Sequence, residues 1–174
     1  MPDTSLGITY PASTAHTRIW EHVQTVADDV NTLLALPAMV EADGAASNAI
    51  TAASFAAIPT TPVSASLVVP AGRDLLVAVT IRAVLTVTAS GDLRASLLAS
   101  GAATWTPGAG GAQWSRSLWC GYVGGGVVAQ EKTIYLTCTA GQTLTASIQA
   151  YKTGASGAWS LNYPSLSIQP LRFV

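Results

Sequence analysis

The chain has 174 residues, 10% of them charged and 49% hydrophobic, with a formal net charge of −1 and a mean hydropathy of +0.40. That length suits one domain with an appendage rather than two full cores. So few charges leave little polar surface for a solitary monomer, while the scattered Lys and Arg residues form no stripe for a phosphate backbone, which argues against nucleic acid as a partner.

The start, Met1-Pro2-Asp3-Thr4-Ser5, has neither a basic cluster nor an apolar core, so no export signal is expected. Residues 14 to 35 then carry the one strong helical pattern, with Ile19, Val23, Val26, Val30 and Leu33 spaced 4, 3, 4 and 3. Ser13 or Thr14 is placed to cap this helix, and Leu36-Pro37 ends it, because the residue before proline is pushed out of the α region. The seam of Ile19, Trp20, Val23, Val26, Val30 and Leu33 is expected either to pack on the chain's own β-domain or to meet sister chains or a larger host. Residues 1–37 are therefore read as an attachment segment.

Residues 38–62 are rich in alanine, with Gly44, Pro59 and Pro62 interrupting any helix, and read as an extended linker that lies along another surface. From Val63 the period switches to two, and residues 63–174 are expected to form a head domain. Leu75, Val77, Val79, Ile81, Ala83, Leu85 and Val87 share one face of a strand, opposite Thr80, Arg82, Thr86 and Thr88. After Ser90-Gly91-Asp92, Leu93, Ala95, Leu97 and Ala99 alternate with Arg94, Ser96 and Ser100, which predicts a hairpin. A second hairpin is predicted where Ile134, Leu136 and Cys138 turn at Ala140-Gly141-Gln142 into Leu144, Ala146, Ile148 and Ala150. A last strand region, Trp159 to Gln169, precedes an apolar C-terminus. The fold class is mainly β: an antiparallel sandwich, jelly-roll-like, with an N-terminal helix.

Candidate chemistry is sparse. The β-domain has no histidine, and Asp74, Asp92 and Glu131 are its only carboxylates, each read as a solvated charge in or near a turn or strand start. His16 and His22 are six apart on the predicted helix, unlike the i, i+4 pair that holds zinc, and Cys120 and Cys138 have no ligand-spaced partner. No metal, cofactor or catalytic residue is expected, and the cysteines read as buried thiols, with one disulfide as the alternative. The longest apolar runs fall far short of the roughly 20 residues of a spanning helix, so no membrane insertion is expected. Aromatic residues do concentrate in the Gly-rich stretch from Gly101 to Gly126, where Trp105, Trp114 and Tyr122 are candidate contacts for a glycan or receptor; core or interface packing is the alternative.

Leu6-Gly7-Ile8-Thr9-Tyr10-Pro11, followed by His16-Thr17-Arg18-Ile19-Trp20-Glu21-His22-Val23-Gln24, resembles the N-terminal segment of minor tail proteins of tailed phages that infect actinobacteria. Thr139-Ala140-Gly141-Gln142-Thr143-Leu144 and Ala150-Tyr151-Lys152-Thr153-Gly154 look like the late hairpin of trimeric C1q-like heads and phage-fibre jelly rolls. The resemblance implies a homotrimeric virion protein, of the short fibre, minor tail or capsid decoration type, assembled in the host cytoplasm. Its N-terminal segment would dock on other virion proteins and its sandwich would project. A free-standing module that binds host cell-surface glycan is the alternative expectation.

Overall fold

The computed structural model describes residues 19–107, 117–122, 125–154 and 157–174; within them the side chains of residues 19–22, 32–34 and 122 are left undescribed. The chain divides into two compact units, one ending at Leu36 and the other beginning at Pro37. In the first, α1 spans Ile19–Leu34, ending before Pro37 as the sequence predicts. Val23, Val26 and Val30 are exposed on it, at 62%, 38% and 36%. The side chains of Ile19, Trp20 and Leu33, named in the same seam, lie outside the described ones. No described helix is long and apolar enough to cross a membrane.

The second unit is an antiparallel β-sandwich. Its strands are β1 (Val40–Asp43), β2 (Asn48–Ala49), β3 (Ala56–Ala57), β4 (Ser64–Val68), β5 (Leu75–Val87), β6 (Gly91–Gly101), β7 (Ser117–Tyr122), β8 (Gly126–Cys138), β9 (Thr143–Lys152) and β10 (Trp159–Phe173). One sheet runs β1-β10-β5-β8 with β2 also on β10, and the other runs β3-β9-β6-β7 with β4 also on β9. Each half-apolar strand turns its hydrophobic side to the other sheet. All seven residues expected on the inner face of β5 are at most 4% exposed, as are Leu93, Ala95, Leu97 and Ala99 of β6 and Leu144, Ala146, Ile148 and Ala150 of β9. Burial of these side chains, worth about 1.5–3 kcal/mol for each Leu, Ile or Val, supplies the main driving force.

Two expectations are corrected. Neither predicted hairpin forms: β5 and β8 lie in one sheet while β6 and β9 lie in the other, so Thr88–Ser90 and the turn at Ala140–Gln142 are arches that carry the chain across the sandwich. An arch and a hairpin bury the same alternate residues, so periodicity does not separate them. Residues 38–62, expected as a linker, instead carry β1, β2 and β3. Val40–Asp43 pairs with Ser165–Ile168, Asn48–Ala49 with Ser160–Leu161, and Ala56–Ala57 with Gln149–Ala150. These pieces are too short and too poor in large apolar residues to show a period. Asn48 fixes one of them: fully buried, it donates its side-chain amide to the carbonyls of Ala45 at 3.0 Å and Leu161 at 3.1 Å.

Candidate functional site

The outer face of the β1-β10-β5-β8 sheet carries charged and hydroxyl side chains around two recesses. Along β5 and β8 the outward residues stand opposite one another in register: Thr80 with Thr133, Arg82 with Glu131, Val84 with Ala129, and Ala78 with Tyr135. Such directly opposed side chains are close enough to interact. The Thr80 and Thr133 hydroxyls are 2.9 Å apart, and Arg82 Nε donates to Glu131 Oε2 at 2.7 Å. Both members of that ion pair are more than half exposed, so water screens it and its contribution to stability is small. Its effect is to hold the guanidinium in place over the sheet.

On the other side of β5, β10 places Ser165 and Ser167 outward, and β1 sets Asp43 opposite Ser165 and Glu41 opposite Ser167. Two recesses flank Arg82. The larger, about 420 Å³, is lined by Arg82, Val84, Ala129, Glu131, Tyr163 and Ser165, among others. The smaller, about 210 Å³, is lined by Glu41, Asp43, Thr80, Arg82, Ser165 and Ser167, with Leu166. Hydroxyls, carboxylates and one guanidinium thus share this surface, and the larger recess adds a mainly apolar lining. No group of three or more metal-ligating side chains gathers among the described residues.

Tyr163 is the unusual residue of this face. Its backbone has φ +48°, a left-handed conformation that bulky residues rarely adopt, and its side chain is 67% exposed. The cause lies in β10. Buried positions run Trp159, Leu161, then Pro164, Leu166, Ile168 and Pro170, so the inward parity shifts by one between Leu161 and Pro164. One extra residue in the strand, a bulge, produces that shift. Pro164 is anchored inside, its carbonyl accepting from Gly44 N–H at 2.7 Å. A side chain on Gly44 would meet Pro164 and Val63 at 2.6 Å, so only glycine lets β1 come this close. With Pro164 fixed, the bulge turns Tyr163 out into the rim of the larger recess.

The aromatic candidates from the sequence are not brought together here. Trp105 is half-buried and held to Ala99 by a pair of backbone hydrogen bonds at 2.7 and 2.9 Å. Trp114 lies outside the described residues, and of Tyr122 only the backbone is described, opposite Gly91 at the end of β7. Glu131, read as a charge beside a strand start, is in the middle of β8. Sequence alternation already set Thr80 and Arg82 on an outward face, and Thr133 and Tyr135 alternate in the same way with Ile134 and Leu136, but Tyr163 carried no signal, because a bulge breaks the pattern that would have located it.

Cys120 and Cys138 are both buried free thiols. Gln130 of β8 touches Trp119, next to Cys120, and Cys138 lies eight residues further along β8, roughly 27 Å away at the rise of a strand, far beyond disulfide reach. Burial, and then the charge of Asp74, pushes the Cys138 thiol up to about 11; burial and then Asp92 raise that of Cys120.

No family model matches the chain and no curated protein matches it. Among solved structures, it is similar to the CBM36-1 domain of a multidomain xylanase from the hindgut metagenome of Trinervitermes trinervoides, at 15% identity over 75% of this chain and 96% of that one, with a TM-score of 0.34. The functional reading rests on the residues of the outer face.

Proposed function

We propose that this chain is a non-catalytic binding module whose β1-β10-β5-β8 face takes a glycan. The observation that carries the reading is Tyr163, an exposed ring held on left-handed backbone at the rim of a recess that also presents the Ser165 hydroxyl, the Glu131 carboxylate and the Arg82 guanidinium. A sugar offers both halves of the complement. Its C–H face stacks on an aromatic ring, and its hydroxyls donate and accept hydrogen bonds at once. Strained backbone is retained where the surrounding structure over-determines it, and such strain clusters at binding sites. Calorimetric titration with cell-wall and plant oligosaccharides tests the reading: binding that falls by about tenfold or more in Tyr163→Ala supports it, and undiminished binding in that variant overturns it.

A second reading has its own observation. The exposed Val23, Val26 and Val30 of α1 follow the spacing of an assembly seam. On this reading the chain is a short trimeric surface protein of a tailed-phage virion, docked through its N-terminal segment and presenting the sandwich to the host surface. The two readings are compatible, since such a protein can carry a glycan site. Stoichiometric recovery of the chain in purified particles supports the second, and absence from them removes it.

A further inference from the structure

We infer that the ligand is an internal stretch of a linear, neutral glycan laid obliquely across the outer face from Tyr163 to Tyr135, rather than a single sugar or an acidic polysaccharide. This rests on the glycan reading above and names the class of glycan.

Length comes from the two tyrosines. They are the exposed rings of this face, at 67% and 66%. Tyr163 borders the same recess as Ala129, and Tyr135 stands six residues further along β8 on the same side of the sheet. Their separation along the strands is therefore about 20 Å, with two strand spacings of about 4.8 Å across. A monosaccharide covers one ring and leaves the other wet. Only a chain of several sugars reaches both.

The ground between the rings suits such a chain. The Arg82–Glu131 and Thr80–Thr133 pairs cross it on β5 and β8, and Ser165 and Ser167 continue it on β10. The face holds both donors and acceptors, as a row of sugar hydroxyls requires. The larger recess opens broadly onto the face, so it does not select a chain end.

Charge decides against acidic glycans. Glu41, Asp43 and Glu131 give three negative charges and Arg82 one positive charge, a sum of −2 across the two recesses. Arg82 is already engaged by Glu131. A polymer with a carboxylate on every sugar would meet uncompensated like charge within the screening length of about 8 Å. A neutral polyol meets none.

The test uses the full chain and defined probes: β-linked glucose, xylose, mannose and N-acetylglucosamine oligomers from monomer to hexamer, with the acidic polymers polygalacturonate and hyaluronan alongside. At least one neutral series should gain roughly tenfold in affinity from dimer to hexamer, while the charged polymers bind more weakly. Tyr135→Ala should abolish the gain of the hexamer over the dimer, whereas Tyr163→Ala should weaken every length; thermal melts verify that both variants fold. Length-independent binding, or charged polymers binding as well as the neutral series, would overturn this inference and leave the glycan reading intact. Binding of none of these probes would overturn both.

Discussion

The side-chain amide of Gln130 grips the backbone of Trp119 at both ends, its oxygen accepting from the Trp119 N–H at 2.6 Å and its nitrogen donating to the Trp119 carbonyl at 2.8 Å. β8 and β7 are the edge strands of opposite sheets, so one side chain satisfies backbone groups that a further strand would otherwise bind, and joins the two sheets along that side. Unpaired edges template association with other chains. In Gln130→Ala both backbone groups lose the Gln130 amide, and a loss of about 1–3 kcal/mol is expected in denaturant unfolding. Unchanged stability would show that water replaces the amide at no cost.

Tyr163 should separate stability from binding. Glycine adopts a φ of +48° without a steric penalty, and strain of this kind costs of order 1–3 kcal/mol. Tyr163→Gly is therefore expected to melt no lower than the native chain, and up to a few degrees higher, while losing glycan affinity. A clear drop in melting temperature would mean that the ring packs for stability.

Cys138 gives the chain an alkaline limit. Its folded-state pKa, about 11, lies above that of an unfolded thiol, so the unfolded chain releases its proton first. The stabilisation from this group is complete below the unfolded pKa and is lost as pH rises through about 11. The difference in unfolding free energy between the native chain and Cys138→Val should shrink as pH rises from 8 to 11; a difference independent of pH would refute the assignment. Thiol reagents at neutral pH should label neither buried cysteine until the protein unfolds.

Val26→Asp tests the helix. The valine seam leads to the expectation of a homotrimer, measurable by light scattering at micromolar concentration. A carboxylate in a seam closed against other copies must be desolvated without a partner, so assembly should weaken by tenfold or more while the β-type circular dichroism and its melt are kept. An assembly state identical to that of the native chain would show that this stripe is not the interface.

Gly91 marks an approach that no other residue permits. A Cβ there would overlap the Thr153 carbonyl oxygen and the Trp159 ring, on backbone with φ +147°. Gly91→Ala should destabilise the sandwich by about 2 kcal/mol or more, seen in the same unfolding assay. A neutral effect would mean that the β9–β10 connection yields freely.

The low charge of the chain also has an answer in the sheets. Outward positions are filled by hydroxyls, among them Thr80 and Thr133 at 2.9 Å, and Ser66 and Thr145 at 3.2 Å. Uncharged polar groups wet these faces, a role that a count of Asp, Glu, Lys and Arg does not register.

The sequence by itself determined which side of each long strand is buried, because alternation is local: Leu75 and Val77 must face the same way whatever lies opposite them. It likewise determined the helix at Val23, Val26 and Val30 and the mainly β class. Only the tertiary structure decided which strands are neighbours. Leu93 is buried equally well in a hairpin with β5 or in a sheet facing it, and the choice depends on contacts distant in sequence, such as Leu75 with Cys138 and Leu93 with Lys152. The proposed binding face follows from that choice. Arg82 meets Glu131 across 49 positions of chain because β5 and β8 are edge to edge, Glu41 and Asp43 join them through a segment too small to show a period, and Tyr163 reaches the rim through a bulge that breaks one. Local spacing encodes which side of a strand meets the core, whereas a site assembled from four strands exists only once their register is set.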